Sequence, residues 1–463
     1  MIPYDFSFTQ AIVLAAGKGT RMRSQTAKVL HDVLGRSMLE HVLDALEALN
    51  VGGMTAVVGH ASAQVKQALK GKHQLTWVQQ DEQLGTGHAV QLCESTCSAA
   101  EHVLIVCGDT PLLRTETLAH LLHEHIKQGY DISVLSAELD KPHGYGRICR
   151  DEDGNMLDIV EEKDASDEVR KISEVSSGIF CVRREVLFRY LQNIDNQNEQ
   201  QEYYLPAIIP LAVADGARLQ ALMMPDADDM LGVNNRTQLR QVTEKMQMRI
   251  IHAWEAEGVS IEHAQSVRID VSVQLGSDTY IRAGSQLLGS THIGDGCDIG
   301  PYAVIASSWV DDGVQIHAFT HMQGAHVSTG SQVGPYARLR PEARLAEGVK
   351  IGNFVEVKKA VIGEGSKVNH LSYVGDSDIG RDCNLGAGTI TCNYDGANKH
   401  QTVIEDDVFV GSGTRLIAPI HVGQGATIGA GSIVTQDVAA GGLTLSDRTE
   451  QRHVKGWKRA VKK

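Results

Sequence analysis

The first half of the chain alternates short aliphatic runs with longer segments that suit a helix. The runs are A-I-V-L-A-A from Ala11, M-T-A-V-V-G from Met54, H-V-L-I-V-C-G-D from His102 and Y-D-I-S-V-L-S-A from Tyr130. This alternation, from about residue 11 to 233, predicts βαβ units and a mostly parallel sheet. Because such sheets bind ligands at the carboxyl ends of their strands, we expect a site in the loops that follow these runs.

A stretch of good helix formers separates this half from the rest. The residues from Asn235 to about Glu257 have apolar positions at helical spacing and contain no Gly or Pro. We therefore predict a connecting helix over 235–258, ended by Gly258.

Beyond that helix the aliphatic positions recur every six residues, which fits neither a helix nor an ordinary strand. The three runs are Ile269, Leu275, Ile281, Leu287, Ile293, Ile299, Ile305; Val327, Val333, Leu339, Leu345, Ile351, Val357; and Ile404, Val410, Leu416, Val422, Ile428, Val434. This period predicts a parallel β-helix of hexapeptide repeats, which we expect to be left-handed. The aliphatic side chains would point inward, and the Gly that often follows them would permit corner backbone that a Cβ would strain.

One insert interrupts this period. The segment C-N-Y-D-G-A-N-K-H-Q-T-V lies between Thr391 and Ile404. A loop that projects from a solenoid commonly serves binding, so this insert weakens the simplest alternative, a rigid spacer.

Composition excludes several classes of protein. With 42% hydrophobic and 22% charged residues, the chain of 463 residues is not a disordered protein. The net charge of −14 argues against a nucleic-acid or anionic-membrane binder, so we expect neither partner. The eight Cys form no C-x-x-C pair, and the start M-I-P-Y-D-F-S-F-T-Q has no signal-peptide pattern. We therefore expect a soluble cytoplasmic protein with reduced thiols.

The first strong functional signal is the Gly-rich segment L-A-A-G-K-G-T-R-M from Leu14 to Met22, which follows an aliphatic strand. Gly lets backbone N–H groups approach phosphates, and Lys18 and Arg21 supply positive charge. The segment matches neither G-x-x-x-x-G-K-[ST] nor G-x-G-x-x-G, which disfavours a Walker ATPase and a dehydrogenase.

Three further motifs join this segment: K-V-L-H at Lys28, Q-L-G-T-G-H-A over 83–89 and C-G-D-T-P over 107–111. Together they resemble the sugar-nucleotidyltransferases. Because the same chain carries hexapeptide repeats, it is most similar to the bacterial bifunctional N-acetylglucosamine-1-phosphate uridylyltransferases and glucosamine-1-phosphate N-acetyltransferases, over nearly all of its length. The resemblance implies an α/β Rossmann-like nucleotidyltransferase domain over 1–234, a linker helix over 235–258 and a β-helix acetyltransferase domain with a basic tail over 259–463.

The resemblance also implies roles for residues of the first domain. The nucleotide would be bound by Leu14, Ala15, Ala16, Gly17, Lys28, Gln80, Gly85, Thr86, Cys107, Gly108 and Asp109. The sugar would be bound by Gly146, Glu161, Ser176 and Asn234. Asp109 and Asn234 would hold Mg²⁺, which takes few protein ligands and completes its shell with water and phosphate. Ser176 is a departure, since the family usually has N-T-G where this chain has S-S-G.

In the second domain, polar residues concentrate between Arg340 and Tyr394. Amine acetylation needs a base near neutrality, and the motif H-L-S-Y makes His370 the candidate. By resemblance the acceptor would be bound by Arg340, Lys358, Tyr373 and Asn384, and acetyl-CoA by Ala387, Asn393, Tyr394, Ser412, Ala430 and Arg448. The family has Arg directly after the Ser near the last coil, where this chain has Asp447 followed by Arg448.

Two other basic features have alternative interpretations. His317, His321 and His326 could suggest a zinc site, but nothing in the sequence makes them converge, and we interpret them as exposed. The final K-G-W-K-R-A-V-K-K is either a solvated tail or a clamp on the phosphates of CoA.

The predicted function is therefore double. One site would acetylate glucosamine-1-phosphate with acetyl-CoA, and the other would couple N-acetylglucosamine-1-phosphate to UTP. The product would be UDP-N-acetylglucosamine for cell-envelope synthesis, including peptidoglycan and lipopolysaccharide, and the enzyme would be a homotrimer. The main alternative is a single-activity sugar-nucleotide pyrophosphorylase whose β-helix is structural or regulatory. A second alternative is a scaffold without catalytic activity. The intact motifs argue against it.

Overall fold

The structure is a computed structural model that describes residues 5–446 together with His453 and Lys455. The chain divides into two compact units, Met1–Met246 and Gln247–Lys463. Arg448 and most of the basic tail lie outside the described residues. In the part of the chain that is described, no helix has the length and apolar character needed to cross a bilayer.

The first unit is built around a mixed sheet. Its strands are β1 Phe6–Ala15, β2 Asp32–Val33, β3 Arg36–Ser37, β4 Val51–Val58, β5 Thr76–Gln79, β6 His102–Cys107, β7 Ile132–Glu138, β8 Arg147–Arg150, β9 Met156–Val160, β10 Glu174–Arg183 and β11 Leu219–Met223. Its α-helices are α1 Met38–Glu47, α2 Ser62–Ala68, α3 Thr86–Gln91, α4 Thr115–Gln128, α5 Arg184–Leu191 and α6 Ile208–Ala214. Short 3₁₀ helices span Thr20–Met22, Lys28–Leu30, Glu94–Cys97, Val169–Lys171, Leu205–Ala207 and Ala227–Met230.

The strand order is β11-β7-β10-β6-β1-β4-β5, with β8 and β9 forming a hairpin beside β10. The strands β1, β4, β5 and β6 run parallel, as the alternating pattern predicts. The strand β10 is antiparallel to both β6 and β7, a feature that the sequence analysis did not predict. The carboxyl ends of β1 and β6 lie side by side, with Leu14 paired to Cys107, and they bring their two following loops together.

A long helix, α7, spans Arg236–Ala256 and crosses the boundary between the units. In the first unit its Val242 packs in a cluster with Met22 and Met38. In the second unit its Ile251 belongs to the core of the β-helix. Gly258, with φ of +89°, follows the helix, as expected of a residue that ends it.

The second unit is a parallel β-helix of short strands arranged in two long sheets. The eleven-strand sheet contains Ser260–Ile261, Tyr280–Ile281, Asp298–Ile299, Gln315–Ile316, Gln332–Val333, Lys350–Asn353, Lys367–His370, Asn384–Leu385, Phe409–Val410, Thr427–Ile428 and Leu443–Thr444. The seventeen-strand sheet contains Arg268–Ile269, Gln274–Leu275, Gln286–Leu288, His292–Ile293, Val304–Ala306, Trp309–Val310, His321–Gln323, His326–Val327, Arg338–Leu339, Arg344–Leu345, Glu356–Ile362, Tyr373–Ile379, Ile390–Cys392, Thr402–Ile404, Arg415–Ile417, Ile420–Val422 and Ile433–Val434. A 3₁₀ helix spans Ala264–Ser266. The aliphatic residues of the six-residue period are buried and form one continuous core.

Two of the glycines that follow these aliphatic residues serve a different purpose from the one we expected. Gly300 and Gly363 do not have positive φ. Instead, a Cβ on Gly363 would lie 2.5 Å from the backbone of Gly380 in the next coil, and a Cβ on Gly300 would lie 2.6 Å from the carbonyl oxygen of Ile316. These two glycines therefore permit close stacking of coils, which corrects the expectation of backbone strain at their positions. Gly334, which follows Val333, has φ of +102° and agrees with that expectation.

One corner of the β-helix carries a column of residues with positive φ. Its members are Tyr302, Phe319, Tyr336, Phe354, Leu371, Gly388, Gly413 and Gly431. Each of the aromatic rings stacks on the next, with centroids 4.9 to 5.4 Å apart. This corner column is therefore bulky and apolar along its first coils and without side chains along its last ones.

A buried pair of histidines lies in the core of the first unit. The Nδ1 atom of His102 is 3.1 Å from Nε2 of His125, and Nδ1 of His125 is 2.8 Å from Oγ of Ser133. Burial, with the nearby His102 and Arg183, lowers the pKa of His125 to about 3. Burial also lowers the pKa of His102. Both rings are therefore neutral at neutral pH.

This pair predicts a loss of stability in mild acid. Because the unfolded chain takes up protons near pH 6.5 whereas folded His125 does not until about pH 3, the unfolded state gains protons first as the pH falls. Stability is therefore full above about pH 6.5 and declines between pH 6.5 and 3, with His125 alone costing about 2 kcal/mol between pH 7 and 5. Hydrogen exchange of β6 and β7 amides as a function of pH measures this decline.

A matched pair of variants isolates the cause. In His125→Asn the decline becomes shallower, whereas His123→Asn, which changes an exposed histidine on the same helix, leaves it unchanged. An equal slope in His125→Asn and the unmodified chain contradicts this assignment.

Candidate active sites

A cleft of about 450 Å³ opens at the carboxyl ends of β1 and β6. It is lined by ten of the residues predicted to bind the nucleotide: Leu14, Ala15, Ala16, Gly17, Lys28, Gln80, Gly85, Thr86, Cys107 and Asp109. The eleventh, Gly108, donates its N–H to the carbonyl oxygen of Leu14 at 3.0 Å, which ties the two loops together. The structure thus gathers the predicted nucleotide residues around one cavity.

Backbone geometry shapes the side of this cleft that carries the Gly-rich loop. The chain turns sharply at Gly19, which has φ of +60°. A Cβ on Gly19 would lie 2.7 Å from Cβ of Lys28, so Gly19 lets the lysine pack directly against the turn. The Gly-rich loop and Lys28 are therefore neighbours although the sequence separates them.

The opposite side of the cleft is held by Gln80 and the start of α3. Gln80 is buried, and its Nε2 donates to the carbonyl oxygen of Gly85 at 3.1 Å. Gly85 has φ of +117°, and a Cβ there would lie 2.5 Å from the carbonyl oxygen of Tyr203. Only glycine therefore fits at this position, which brings the Tyr203 segment against the cleft.

The sequence analysis did not identify two polar residues that line the cleft, Gln83 and Glu202. Gln83 Nε2 donates to the carbonyl oxygen of Ala16 and so bridges the two sides. Gln83 lies within the Q-L-G-T-G-H-A motif, so its position could have been inferred. Glu202 lies in an irregular segment with no pattern to single it out.

The predicted metal ligands converge on one positive charge. The ammonium group of Lys28 forms an ion pair with Asp109 Oδ2 and donates to Asn234 Oδ1 at 2.8 Å. Arg21 also donates to Asn234 Oδ1, at 3.0 Å. A carboxylate and an amide oxygen that meet at one cationic atom are the hard donors that Mg²⁺ prefers, so these residues fit a divalent cation.

Three of the predicted sugar residues lie together beside the β8–β9 hairpin. The N–H of Ser176 donates to the carbonyl oxygen of Gly146 at 2.8 Å. A Cβ on Gly146 would lie 3.5 Å from Glu161 Oε1, so glycine leaves space before that carboxylate. The Ser176 hydroxyl accepts a hydrogen bond from the N–H of Gly178 at 3.2 Å. The fourth residue, Asn234, lies with Lys28 and Asp109 instead.

The acidity of this region is shifted by burial. Burial, with repulsion from Asp164 and Glu202, raises the pKa of Glu161. Burial raises the pKa of the Cys107 thiol to about 12, with the Asp109 carboxylate adding to the shift. The Cys107 thiol is therefore protonated at neutral pH and is not a nucleophile.

Three of the six residues predicted to contact acetyl-CoA, Ala387, Ser412 and Ala430, fall into one column on the β-helix, whereas Asn393 and Tyr394 lie in the insert and Arg448 lies outside the described residues. Backbone hydrogen bonds run from Gly388 N to His370 O at 3.3 Å, from Gly413 N to Ala387 O at 2.7 Å and from Gly431 N to Ser412 O at 2.7 Å. His370, Ala387, Ser412 and Ala430 therefore stand above one another on successive coils. The intervals between them are 17, 25 and 18 residues, and the sequence alone does not show that such unequal steps superpose.

This column runs beside the glycine part of the corner column. Gly388, Gly413 and Gly431 follow Ala387, Ser412 and Ala430 directly. Side chains along these three coils are therefore small or absent.

The exposed ring of His370 is oriented by a neighbour that the sequence analysis missed. Its Nδ1 is 3.0 Å from Oδ1 of Asn353, which is paired with it in the preceding coil. When Nδ1–H donates to this oxygen, Nε2 is left as an acceptor for a proton. Asn353 lies one coil earlier, in the polar stretch between Arg340 and Tyr394, so the coil period could have identified it.

The predicted acceptor residues Arg340 and Lys358 occupy equivalent positions on neighbouring coils. Arg340 forms an ion pair with Glu356 at 2.8 Å. Tyr373 lies back over Gly375, where a Cβ would be 2.7 Å from the phenol carbon Cζ. Asn384 lies in the other sheet, in register with Lys367 and Phe409.

The insert folds against these residues. Asn393 Nδ2 donates to Asp376 and lies 3.5 Å from the Tyr373 hydroxyl, whereas Tyr394 is exposed and donates to the carbonyl oxygen of Gly396. The Lys358 ammonium group beside it lowers the pKa of Lys399. Two neighbouring ammonium groups favour an anion, so Lys399 is a further candidate for the acceptor phosphate, and the sequence analysis missed it.

The histidines considered for zinc do not form a cluster in the described residues. His326 is half-buried and bonds through Nε2 to Asp311 at 3.2 Å, whereas His321 is exposed. The interpretation as exposed residues is therefore correct for His321 and incomplete for His317 and His326, which are both half-buried.

Fold and cleft together define a class: a nucleotidyltransferase domain joined to a hexapeptide-repeat transferase. Residues 11–174 match the family of MobA-like NTP transferase domains, and residues 272–307 and 401–436 match the bacterial transferase hexapeptide repeats. Both matches agree with the predicted fold class.

Full-length relatives narrow the class. The bifunctional protein GlmU of Methylococcus capsulatus is 47% identical over 98% of this chain and 97% of its own. The bifunctional protein GlmU of Pelobacter propionicus is 45% identical over 98% of each chain, and that of Exiguobacterium sibiricum is 46% identical over 94% of this chain and 97% of its own. The chain belongs to the bifunctional GlmU family. It is a bifunctional enzyme of UDP-N-acetylglucosamine synthesis, with uridylyltransferase and acetyltransferase activities, so the predicted resemblance is confirmed.

Proposed function

We propose that the two activities use the two sites described above, with the residues in the roles that the sequence analysis predicts. The β-helix acetylates glucosamine-1-phosphate with acetyl-CoA, and the cleft then couples N-acetylglucosamine-1-phosphate to UTP. The observation that carries this proposal is the column of His370, Ala387, Ser412 and Ala430, which runs directly beside Gly388, Gly413 and Gly431. A β-helix that only assembled or regulated a pyrophosphorylase would not need an oriented histidine at the end of such a column.

In the acetyl transfer, His370 Nε2 takes the proton from the amine of the acceptor as its nitrogen attacks the thioester carbonyl. Asn353 fixes the ring so that Nε2 faces outward. Arg340, Lys358 and Lys399 bind the phosphate of the amino sugar, and Tyr373 and Asn384 orient the sugar. The C–S bond of the thioester then breaks, the CoA thiolate takes the proton from His370 Nε2 as it leaves, and the amide of N-acetylglucosamine-1-phosphate is formed. In the tail, whose structure is not described, Arg448 is proposed to contact a CoA phosphate.

In the uridylyl transfer, an oxygen of the sugar phosphate attacks the α-phosphorus of UTP and pyrophosphate leaves. Gly17 and its neighbours bring backbone N–H groups to the phosphates, and Lys28 supplies positive charge. Gln80, Gly85 and Thr86 contact the uracil, while Gly146, Glu161 and Ser176 contact the sugar. Mg²⁺, held by Asp109 and Asn234, would neutralise charge that develops on the phosphates.

We also propose that the enzyme is a homotrimer. The exposed apolar part of the corner column supports this proposal, since Tyr302, Phe319, Tyr336 and Phe354 are each 47 to 57% exposed and form one stripe. A contiguous stripe of stacked aromatic rings is the kind of surface that a second copy covers. Light scattering of the full chain should give about three times 50.2 kDa, and Phe319→Glu should lower that mass while His321→Glu, beside the stripe, should not.

A cytoplasmic location accompanies this proposal. All eight cysteines are unpaired, as expected of reducing surroundings.

Measuring both half-reactions on the purified chain tests the whole proposal. CoA release should depend on glucosamine-1-phosphate, and pyrophosphate release should depend on N-acetylglucosamine-1-phosphate, UTP and Mg²⁺. Pyrophosphate release without any CoA release would support the single-activity alternative instead.

A further inference from the structure

The position of Lys28 has a consequence for how a metal ion enters the cleft. Its ammonium group stands between the two oxygens proposed as metal ligands, paired with Asp109 and donating to Asn234 Oδ1 at 2.8 Å. The Lys28 side chain is only 13% exposed, and that of Asp109 is 21% exposed. In this half-buried place the lysine neutralises a carboxylate that would otherwise be poorly solvated.

A divalent cation and this ammonium group cannot occupy the same place. Mg²⁺ holds its ligands at about 2.1 Å, and an ammonium group within hydrogen-bond distance of the same oxygens would repel it strongly in a half-buried site. Binding of the metal ion therefore requires Lys28 to leave Asp109. The ion pair between Lys28 and Asp109 opposes this movement unless the cleft holds another anion to which Lys28 can bind.

Lys28 has an alternative partner when a nucleotide is bound. Its side chain lines the same cavity as the Gly-rich loop, which is shaped for phosphates. Its backbone is fixed in the 3₁₀ helix Lys28–Leu30 and packs against Gly19, so only the flexible four-carbon side chain has to move. Arg21 also donates to Asn234 Oδ1, but it does not reach Asp109 through any described contact, so it competes for one of the two proposed ligands whereas Lys28 competes for both.

We propose that Lys28 is an exchangeable counterion for the metal site. In the nucleotide-free enzyme it occupies the place of the divalent cation and keeps the affinity for that cation low. The phosphates of a nucleoside triphosphate draw it away and so open the site, which makes nucleotide and metal binding cooperative. This inference rests on the proposed role of Asp109 and Asn234 and adds the order in which the site is filled.

The test measures binding of Mn²⁺, as a spectroscopic substitute for Mg²⁺, to the full chain without nucleotide. Electron paramagnetic resonance of free Mn²⁺ gives the dissociation constant. Lys28→Met and Lys28→Gln are expected to bind Mn²⁺ at least about tenfold more tightly than the unmodified chain, because the competing charge is gone. Lys18→Met is the matched control, since Lys18 lines the same cleft without a contact to Asp109 among the described ones, and its affinity should be unchanged.

Each outcome decides one point. Equal or weaker Mn²⁺ binding by both folded Lys28 variants contradicts the proposal that Lys28 competes with the metal ion. A gain of the same size in Lys18→Met also contradicts it, because the loss of any positive charge in the cleft would then have the same effect. The double variant Lys28→Met with Asp109→Asn should lose the tight binding again. If the double variant keeps it, the metal assignment in the proposed function is wrong, whatever Lys28 does.

Discussion

His370→Asn is expected to lower acetyl transfer by about 10² to 10⁴-fold while leaving uridylyl transfer unchanged. The asparagine can keep a contact to Asn353 but cannot accept a proton from the amine near neutral pH. The change therefore removes the proposed base and leaves Ala387 and Ser412 unaltered. CoA release and pyrophosphate release, followed separately on one preparation, measure the two effects.

The control for this variant is His321→Asn, which changes another exposed histidine of the same β-helix. That change should affect neither reaction. A similar loss of both activities in His370→Asn would show that the two sites are not independent. Full acetyl transfer in His370→Asn would remove His370 from the mechanism.

Asp109→Asn should have the opposite pattern, with uridylyl transfer reduced by about 10³-fold and acetyl transfer retained. The substitution removes the only charged ligand proposed for Mg²⁺, and the stabilisation of phosphate charge by a metal ion amounts to several kcal/mol. It also removes the ion pair with Lys28, so the lysine loses its place between Asp109 and Asn234. Pyrophosphate release at saturating UTP and Mg²⁺ measures the loss.

Asp153→Asn serves as the control, because Asp153 is exposed in the turn of the β8–β9 hairpin. It should leave pyrophosphate release unchanged. If Asp109→Asn retains full uridylyl transfer, then neither the metal assignment nor the ion pair matters to the reaction.

Much of this architecture could be predicted because burial requires apolar residues at regular positions, and their spacing is visible in the sequence. The inward positions of the β-helix must be aliphatic in every coil. Neighbouring members of the series, such as Ile281 and Leu287, therefore show the six-residue period in the sequence alone. The buried strand β6, which ends at the loop of Asp109, could be predicted as well, because it is a short continuous run of apolar residues. Strand β10 could not be predicted in this way, because burial on both faces makes an antiparallel strand look like a parallel one.

The site was predictable where motifs are contiguous and unpredictable where contacts are long-range. The Gly-rich loop and Asp109 were identified by their motifs, but the meeting of Lys28 with Asn234 joins residues 206 positions apart. Lys399, which we propose as a further contact to the acceptor phosphate, was missed for a similar reason, since only the folding of the insert brings it to Lys358. Gly363 was expected to permit a strained corner, but it permits a close contact with the next coil. The sequence of one repeat does not show how closely the next coil approaches it.

If acetyl-CoA binds along the column as proposed, the change from aromatic rings to glycine along one corner sets a minimum length for the acyl carrier. The bare stretch extends over the coils of Gly388, Gly413 and Gly431, which at about 4.8 Å per coil amounts to about 10 Å of open path. A carrier whose arm is shorter than this path, if anchored at the far end, would leave its thioester short of His370. The number of coils between the anchoring point and His370 thus fixes the shortest usable arm, and a bulky residue in place of any of these three glycines would obstruct its path.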